Sequence, residues 1–283
     1  MKKKHSVLSN IFFWTGLILI SAYVLIPIFN VVLASVKPLE EIQVTGKSIF
    51  PSRFDFGTYQ RVWTTVPLLQ YIKNSLIVIS CSTALSVIIS IFAGFAMNRF
   101  RFRGKELFGN MLIVSQLTPQ ILMLLPIYLI YVTIKKYLGI QMVGTYQGLI
   151  ILYLTFSIPF SIWMMKSYFT SIPVELEEAA FIDGCGYLQT IFRIIIPVSI
   201  PGVISVAIYS FLIGWEEVLF ASVLTNNSTR TVAIGLRNYA AASTVYWNEM
   251  MAAAVTVTIP IIVVFIVIQK YLISGFTAGS VKG

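Results

Sequence analysis

Six long stretches of this chain carry no charge: residues 11–36, 74–98, 107–134, 137–165, 194–215 and 250–269. Each contains or approaches the roughly 20 apolar residues that a helix needs to cross a hydrocarbon core about 30 Å thick. In lipid no water is present to bond the backbone, so such stretches must satisfy their own N–H and C=O groups as helices. A composition of 57% hydrophobic and 11% charged residues over 283 positions lies far from soluble averages and agrees. The pattern predicts an all-α membrane protein, a single transmembrane domain over 1–283 with helices at about 11–36, 72–97, 107–131, 148–165, 198–224 and 250–272.

The first stretch follows Lys2, Lys3 and Lys4, as a secretory signal would. It exceeds the usual 7–15-residue apolar region and lacks a small-x-small cleavage site, so it reads as a retained helix. Basic residues near helix ends set the orientation. The two dense clusters are Lys2–Lys4 and Arg99, Arg101, Arg103 and Lys105, and two crossings separate them. Both are expected in the cytoplasm, and six crossings return the C-terminus there. The net charge of +9 reflects these flanks. No basic face with interleaved aromatics exists outside the membrane, which excludes nucleic-acid binding.

Absences narrow the chemistry. No G-x-x-x-x-G-K-[ST] loop occurs, so ATP would have to be hydrolysed on another chain. The sole histidine, His5, sits beside the N-terminal lysines, and no serine has a matching base. Cys81 and Cys185 are expected in different compartments, so no disulfide, metal site or cofactor site is expected on this chain. A transport subunit fits better than an enzyme.

The outer segment 37–70, punctuated by Pro38, Pro51 and Pro67, is long enough for short helices. The spans carry Pro27, Pro119, Pro126, Pro159, Pro201 and Pro260. Such prolines suit a moving transporter, and equally the ordinary kinks of membrane helices.

The segment 166–197 is the longest charged stretch expected in the cytoplasm. Pro173 fits a helix start, and Glu175, Glu177 and Glu178 suit the positive end of its first turns. Gly184 and Gly186 supply a stop, which leaves a helix of about 11 residues, roughly 16 Å, too short to span the bilayer. Leu176, Ala179, Ala180 and Asp183 fall on one face by spacing. Two alanines there would let a partner approach closely, with Glu178 and Asp183 offered to basic or hydrogen-bonding groups. A connector helix that only stabilises the membrane domain is the alternative.

Inside the membrane, Trp215, Glu216 and Glu217 interrupt an apolar run and mark a candidate translocation path. Successive residues on a helix lie about 100° apart, so at most one carboxylate points along a pathway. One carboxylate could hydrogen-bond solute hydroxyls beside a stacking Trp215. The other readings are a seam contact to a partner chain and a site nearer the outer interface. Gln116, Asn74 and Tyr209 are weaker candidates.

The run Glu178–Pro197, EAAFIDGCGYLQTIFRIIIP, resembles the E-A-A loop of ABC-importer permeases. The runs 99–105 (RFRFRGK), 159–165 (PFSIWMM), 171–177 (SIPVELE) and 275–283 (GFTAGSVKG) are similar to the carbohydrate, maltose-type branch, in the family's order. The resemblance implies a type I ABC importer permease fold: six transmembrane helices with a short cytoplasmic coupling helix. It implies ATP-driven, binding-protein-dependent import of a sugar or oligosaccharide, with Glu178, Ala179, Ala180, Asp183, Gly184 and Pro197 coupling to the ATPase. Implied partners are a second homologous permease chain, two copies of an ABC ATPase that hold the ATP and magnesium, and an extracytoplasmic solute-binding protein. Also implied are a bacterial cytoplasmic membrane, both termini inside, and a tail 275–283 that reaches the ATPases. Where the branch often shows Trp-Asn-Glu, this chain has Glu216 in the middle place. A permease for another solute class, and an ATP-independent carrier with Glu216 or Glu217 as proton site, are the alternatives; the carrier leaves the acidic cytoplasmic helix unexplained.

Overall fold

A computed structural model describes residues 7–43, 49–240 and 245–278, and side chains at 11–43, 49–240, 245–267 and 269. Lys2–Lys4, His5 and the last residues of the tail, 279–283, lie outside the described residues. The fold is all-α, about 80% helical, and no strand occurs among the described residues.

The chain forms two compact units. The first comprises 1–68 and 236–259. It holds α1 (Val7–Ser35), α2 (Leu39–Gln43), α3 (Thr58–Thr65), a 3₁₀ turn (Leu236–Tyr239) and the start of α14 (Trp247–Ala278). α1 carries no charge, and none of its most hydrophobic window is buried, as a lipid-facing helix requires. Tyr239 donates to Val62 O at 2.6 Å, and the backbone N–H of Asp55 donates to Val36 O at 2.8 Å. Arg61 bridges Asp55 (2.7 Å) and Glu249 in the first turn of α14 (3.3 Å), while Thr65 also donates to Glu249. The hydrogen bond from Arg61 holds Asp55 below its usual pKa, and the same bond raises that of Arg61.

The second unit comprises 69–235 and 260–283. It holds nearly all of α4 (Leu68–Arg99), then α5 (Lys105–Leu117), α6 (Gln120–Leu138), α7 (Tyr146–Thr170) and α8 (Glu175–Ile182). A compound stretch follows: α9 (Tyr187–Thr190), a π-helical turn (Ile191–Ile195) and α10 (Ile196–Val198). After it come α11 (Ile200–Glu216), α12 (Leu219–Leu224) and α13 (Val232–Gly235).

Close approach of α4, α7 and α11 builds this unit. Ser82, Ser86, Ser90 and Gly94 recur every fourth residue on α4, and the three serines are fully buried. Ser86, Ser161 of α7 and Ser210 of α11 bond one another at 3.0–3.3 Å, as small polar residues do between membrane helices. A Cβ on Gly94 would lie 2.8 Å from that of Met165 and 3.0 Å from the backbone nitrogen of Lys166. Beneath them, Ile91, Phe95, Met165, Phe169, Ile195 and Val206 form an apolar cluster.

Among the described residues five helices are long and apolar enough to cross a membrane, and six if the bent pair 187–198 and 200–216 counts as one span. Two stretches depart from single straight spans. The third charge-free run holds two helices, because Pro119 pushes Thr118 to an extended conformation (φ −77°, ψ 122°) and ends α5. Only α6 of that pair is long enough alone. The fifth bends by 81° at Ser199. Pro197 and Pro201, the latter in the first turn of α11, each lack the N–H that would extend the ladder on their side of Ser199.

Candidate functional site

α8 is an eight-residue helix, shorter than the 11 residues expected, because Val174 rather than Pro173 precedes its first turn. It stops as its glycine requires. Gly184 takes φ +82°, its N–H bonds Phe181 O, and the N–H of Cys185 reaches back to Ala180 O at 2.9 Å.

One face of α8 belongs to the chain's own core. Glu177 is buried, and its Oε1 accepts from Arg99 Nε at 2.6 Å. The rest of the Arg99 fork donates to Asn98 Oδ1 (2.8 Å) and to Ile172 O (2.9 Å). Asn98 in turn donates to Lys166 O (3.1 Å) and Thr170 Oγ1 (2.7 Å). The last turn of α4, where a cation suits the helix dipole, is thereby stitched to the end of α7 and the start of α8. Ala180 lies on the same inward face and is 2% exposed. Of the two alanines expected to admit a partner, only Ala179 faces out, because adjacent helical residues point about 100° apart.

The opposite face is bare. Glu178, Ala179, Asp183 and Gly184 are exposed, and Ile182 is 86% exposed, flanked by exposed Leu176 and Phe181. Pro197 is exposed as well, at the start of α10. A row of aromatic rings runs inward from α8. Phe181 meets Tyr187 (5.0 Å), Tyr187 meets Phe100 (5.4 Å), and Phe100 meets Phe95 (6.0 Å). Phe95 then meets Phe169 on α7 (6.0 Å). These edge-on pairs are the favoured arrangement of aromatic quadrupoles.

Trp215, Glu216 and Glu217 separate in the structure. Both oxygens of Glu217 accept backbone N–H bonds, from Phe220 (2.6 Å) and Ala221 (2.9 Å). The carboxylate caps the first turn of α12. Trp215 is buried and stacks on Phe211 at 5.5 Å. Glu216 alone of the three is exposed. Asn74 is consumed by bonds to Ser228 O, Arg230 O and the Tyr146 hydroxyl, Gln116 donates to Phe156 O, and Tyr209 packs on Phe160. Among the described residues no group of three or more His, Cys, Asp or Glu could hold a metal ion.

Sequence reasoning missed the Arg99–Glu177 pair, having assigned Arg99 to topology and Glu177 to the helix dipole. Only half of a signal was present: Arg99 directly follows an apolar run, whereas Glu177 stands among other carboxylates. The four-residue repeat of small residues on α4 was a second readable signal.

Comparison with known proteins places these features. Residues 86–277 match the family described as binding-protein-dependent transport system inner membrane component. An inner membrane ABC transporter permease protein, YcjP, of Escherichia coli (strain K12) is 32% identical over 100% of both chains. The trehalose/maltose transport system permease protein MalG of Thermococcus litoralis is 32% identical over 99% of both. A sulfoquinovosyl glycerol transport system permease protein of Agrobacterium fabrum is 30% identical over 92% of this chain and 89% of its own. The fold matches a chain in the crystal structure of a bacterial ABC transporter that imports the acidic polysaccharide alginate, with a TM-score of 0.75 at 23% identity, covering 94% of this chain and 98% of that one.

Proposed function

The chain belongs to the family of binding-protein-dependent transport system inner membrane components, and from that premise we propose that it is the permease subunit of an ATP-driven importer of a sugar or oligosaccharide. The names of the relatives for trehalose/maltose and for sulfoquinovosyl glycerol support the carbohydrate class. The observation that carries the mechanism is the two-sided α8. Its inner face is pinned by Arg99–Glu177, and its outer face offers Glu178, Ala179, Ile182 and Asp183.

In this reading the ends of α4 and α7 and the whole of 171–197 face the cytoplasm, as do both termini. ATP and magnesium are held by a separate ATPase present in two copies, and this chain carries no cofactor of its own. A second, related permease completes the membrane pathway, and an external binding protein delivers the solute. Closure of the ATPases shifts the permease between states only by gripping α8 better in one of them. The family match disfavours the carrier alternative, and of its two candidate proton sites Glu217 is already engaged by two backbone N–H groups.

The test is purification of the tagged chain from its native membrane in mild detergent. Wild type should bring down an ATPase, and Glu178→Lys should lose it or lose its transport-stimulated hydrolysis. A wild-type chain that purifies alone and still transports overturns the reading.

A further inference from the structure

We propose that the groove between α5 and α7 holds one anionic glycerophospholipid, its headgroup at Lys105 and Lys166 and an acyl chain laid along α5 towards Leu117. Two cavities make up the groove. One, about 430 Å³, is lined by Lys105, Glu106, Asn110, Trp163 and Lys166 among others. The second, about 260 Å³, continues it and shares Leu112, Ile113 and Trp163 with the first, ending at Leu117, Pro159 and Phe160.

The two ends differ in chemistry. Arg101 lines an adjoining cavity with Lys105 and Glu106, so three cations face one exposed carboxylate at the mouth. Lys105 Nζ donates to Phe100 O at 3.0 Å and keeps two further protons for a phosphate. Basic residues placed just beyond a membrane helix attract anionic lipid headgroups. At the deep end the polar groups are the Gln116 amide, whose Nε2 already donates to Phe156 O, and the Trp163 indole N–H. A sugar would need several convergent hydrogen-bonding groups there; an acyl chain needs none. Phe160 and Trp163, stacked at 5.7 Å, wall the apolar part. Length agrees too. The 13 residues of α5 rise about 20 Å, enough to run from a headgroup through one leaflet, about 15 Å of hydrocarbon.

The proposal rests on the orientation proposed above and goes beyond it. The full chain, with whatever subunits accompany it in mild detergent, is delipidated and then offered dioleoyl-phosphatidylglycerol or dioleoyl-phosphatidylcholine under native mass spectrometry. Wild type should retain one phosphatidylglycerol in clear preference to phosphatidylcholine. Lys105→Gln with Lys166→Gln should cut that retention about thirtyfold, given two lysines near an anionic group. Lys135→Gln with Lys136→Gln, at the other end of α6, should leave it unchanged. In wild type, a phosphatidylglycerol with a photoreactive acyl tail should label residues 107–117 and 159–163, a readout that needs no variant to fold. Equal retention of both lipids, wild-type retention by the double variant, labelling confined to other helices, or cross-linking of α5 to a second permease chain in place of lipid overturns the proposal. ATPase recovery in the same preparation reports separately on the importer reading.

Discussion

Removing either partner of the Arg99–Glu177 pair should release α8 from the membrane domain without unfolding it. The side chains are 13% and 5% exposed, and the guanidinium makes three bonds of 2.6, 2.8 and 2.9 Å. Breaking a buried pair by deleting one member costs about 3–5 kcal/mol, because the survivor stays charged in a poor solvent. Arg99 keeps some contact with water, and Asn98 and Ile172 remain as acceptors in Glu177→Ala, so the lower end, about 3 kcal/mol, is expected there. That cost falls on a short element with an otherwise exposed outer face, so it should appear as local opening. Hydrogen exchange of α8 amides should quicken about a hundredfold in Glu177→Ala and in Arg99→Ala, while amides of α4 and α7 below Gly94 keep their protection. Arg99→Lys should lie between, since an ammonium can pair with Glu177 but lacks the fork that also reaches Asn98 and Ile172. The double-alanine variant should be no worse than the worse single, a coupling that a cycle isolates. Unchanged α8 exchange in both single variants, or strictly additive effects in the cycle, would refute the argument that this pair seats the helix.

Gly94→Ala should lower the thermal stability of the detergent-solubilised protein by about 1–3 kcal/mol, since its Cβ would meet Met165 and the backbone of Lys166; a variant as stable as wild type would mean that α4 and α7 pack less closely than observed. Glu217→Gln should keep an acceptor for the first turn of α12 and transport normally without responding to a proton gradient, whereas Glu217→Ala should lose about 0.5–2 kcal/mol of capping; loss of transport in Glu217→Gln would restore the proton-site alternative. Because folding depresses the pKa of Asp55, its contribution is present above the ordinary value of 3.8 and lost as pH falls through the lower folded value. With Arg61 nearly half exposed the effect should stay below about 1 kcal/mol, visible as a melting-temperature drop below pH 4 that Asp55→Asn lacks.

Much of the architecture could be read from the chain because membrane helices are specified locally. Charge-free length alone marks α1, α4, α7 and α14, and Gly184 ends α8 because only its left-handed conformation closes the turn there. What escaped is relational. Pro119 and Pro197 were visible as prolines, but whether a membrane proline kinks, splits or bends a span depends on what receives the freed carbonyls. The result here is a break at Thr118 and an 81° turn at Ser199. Likewise, spacing grouped Ala179 with Ala180 but could not say which one the domain would claim. Arg99 and Glu177 lie 78 residues apart, so no local pattern pairs them.

The same relations bear on how α8 could transmit force. A helix of eight residues held by one ion pair would swivel about it. Two further restraints act here: the Schellman stop, which fixes the exit of the chain at Cys185, and the ring series from Phe181 through Tyr187, Phe100 and Phe95 to Phe169. Three attachments at different points on a rigid element define its orientation as well as its position. A load on Ile182 or Glu178 is then borne by the ends of α4 and α7 together. The compliant point lies further along, where the π-helical turn and the bend at Ser199 leave the ladder weakest. Stiffness at α8 and compliance at Ser199 together favour rotation of α11 over distortion of the α8 seat when the permease changes state.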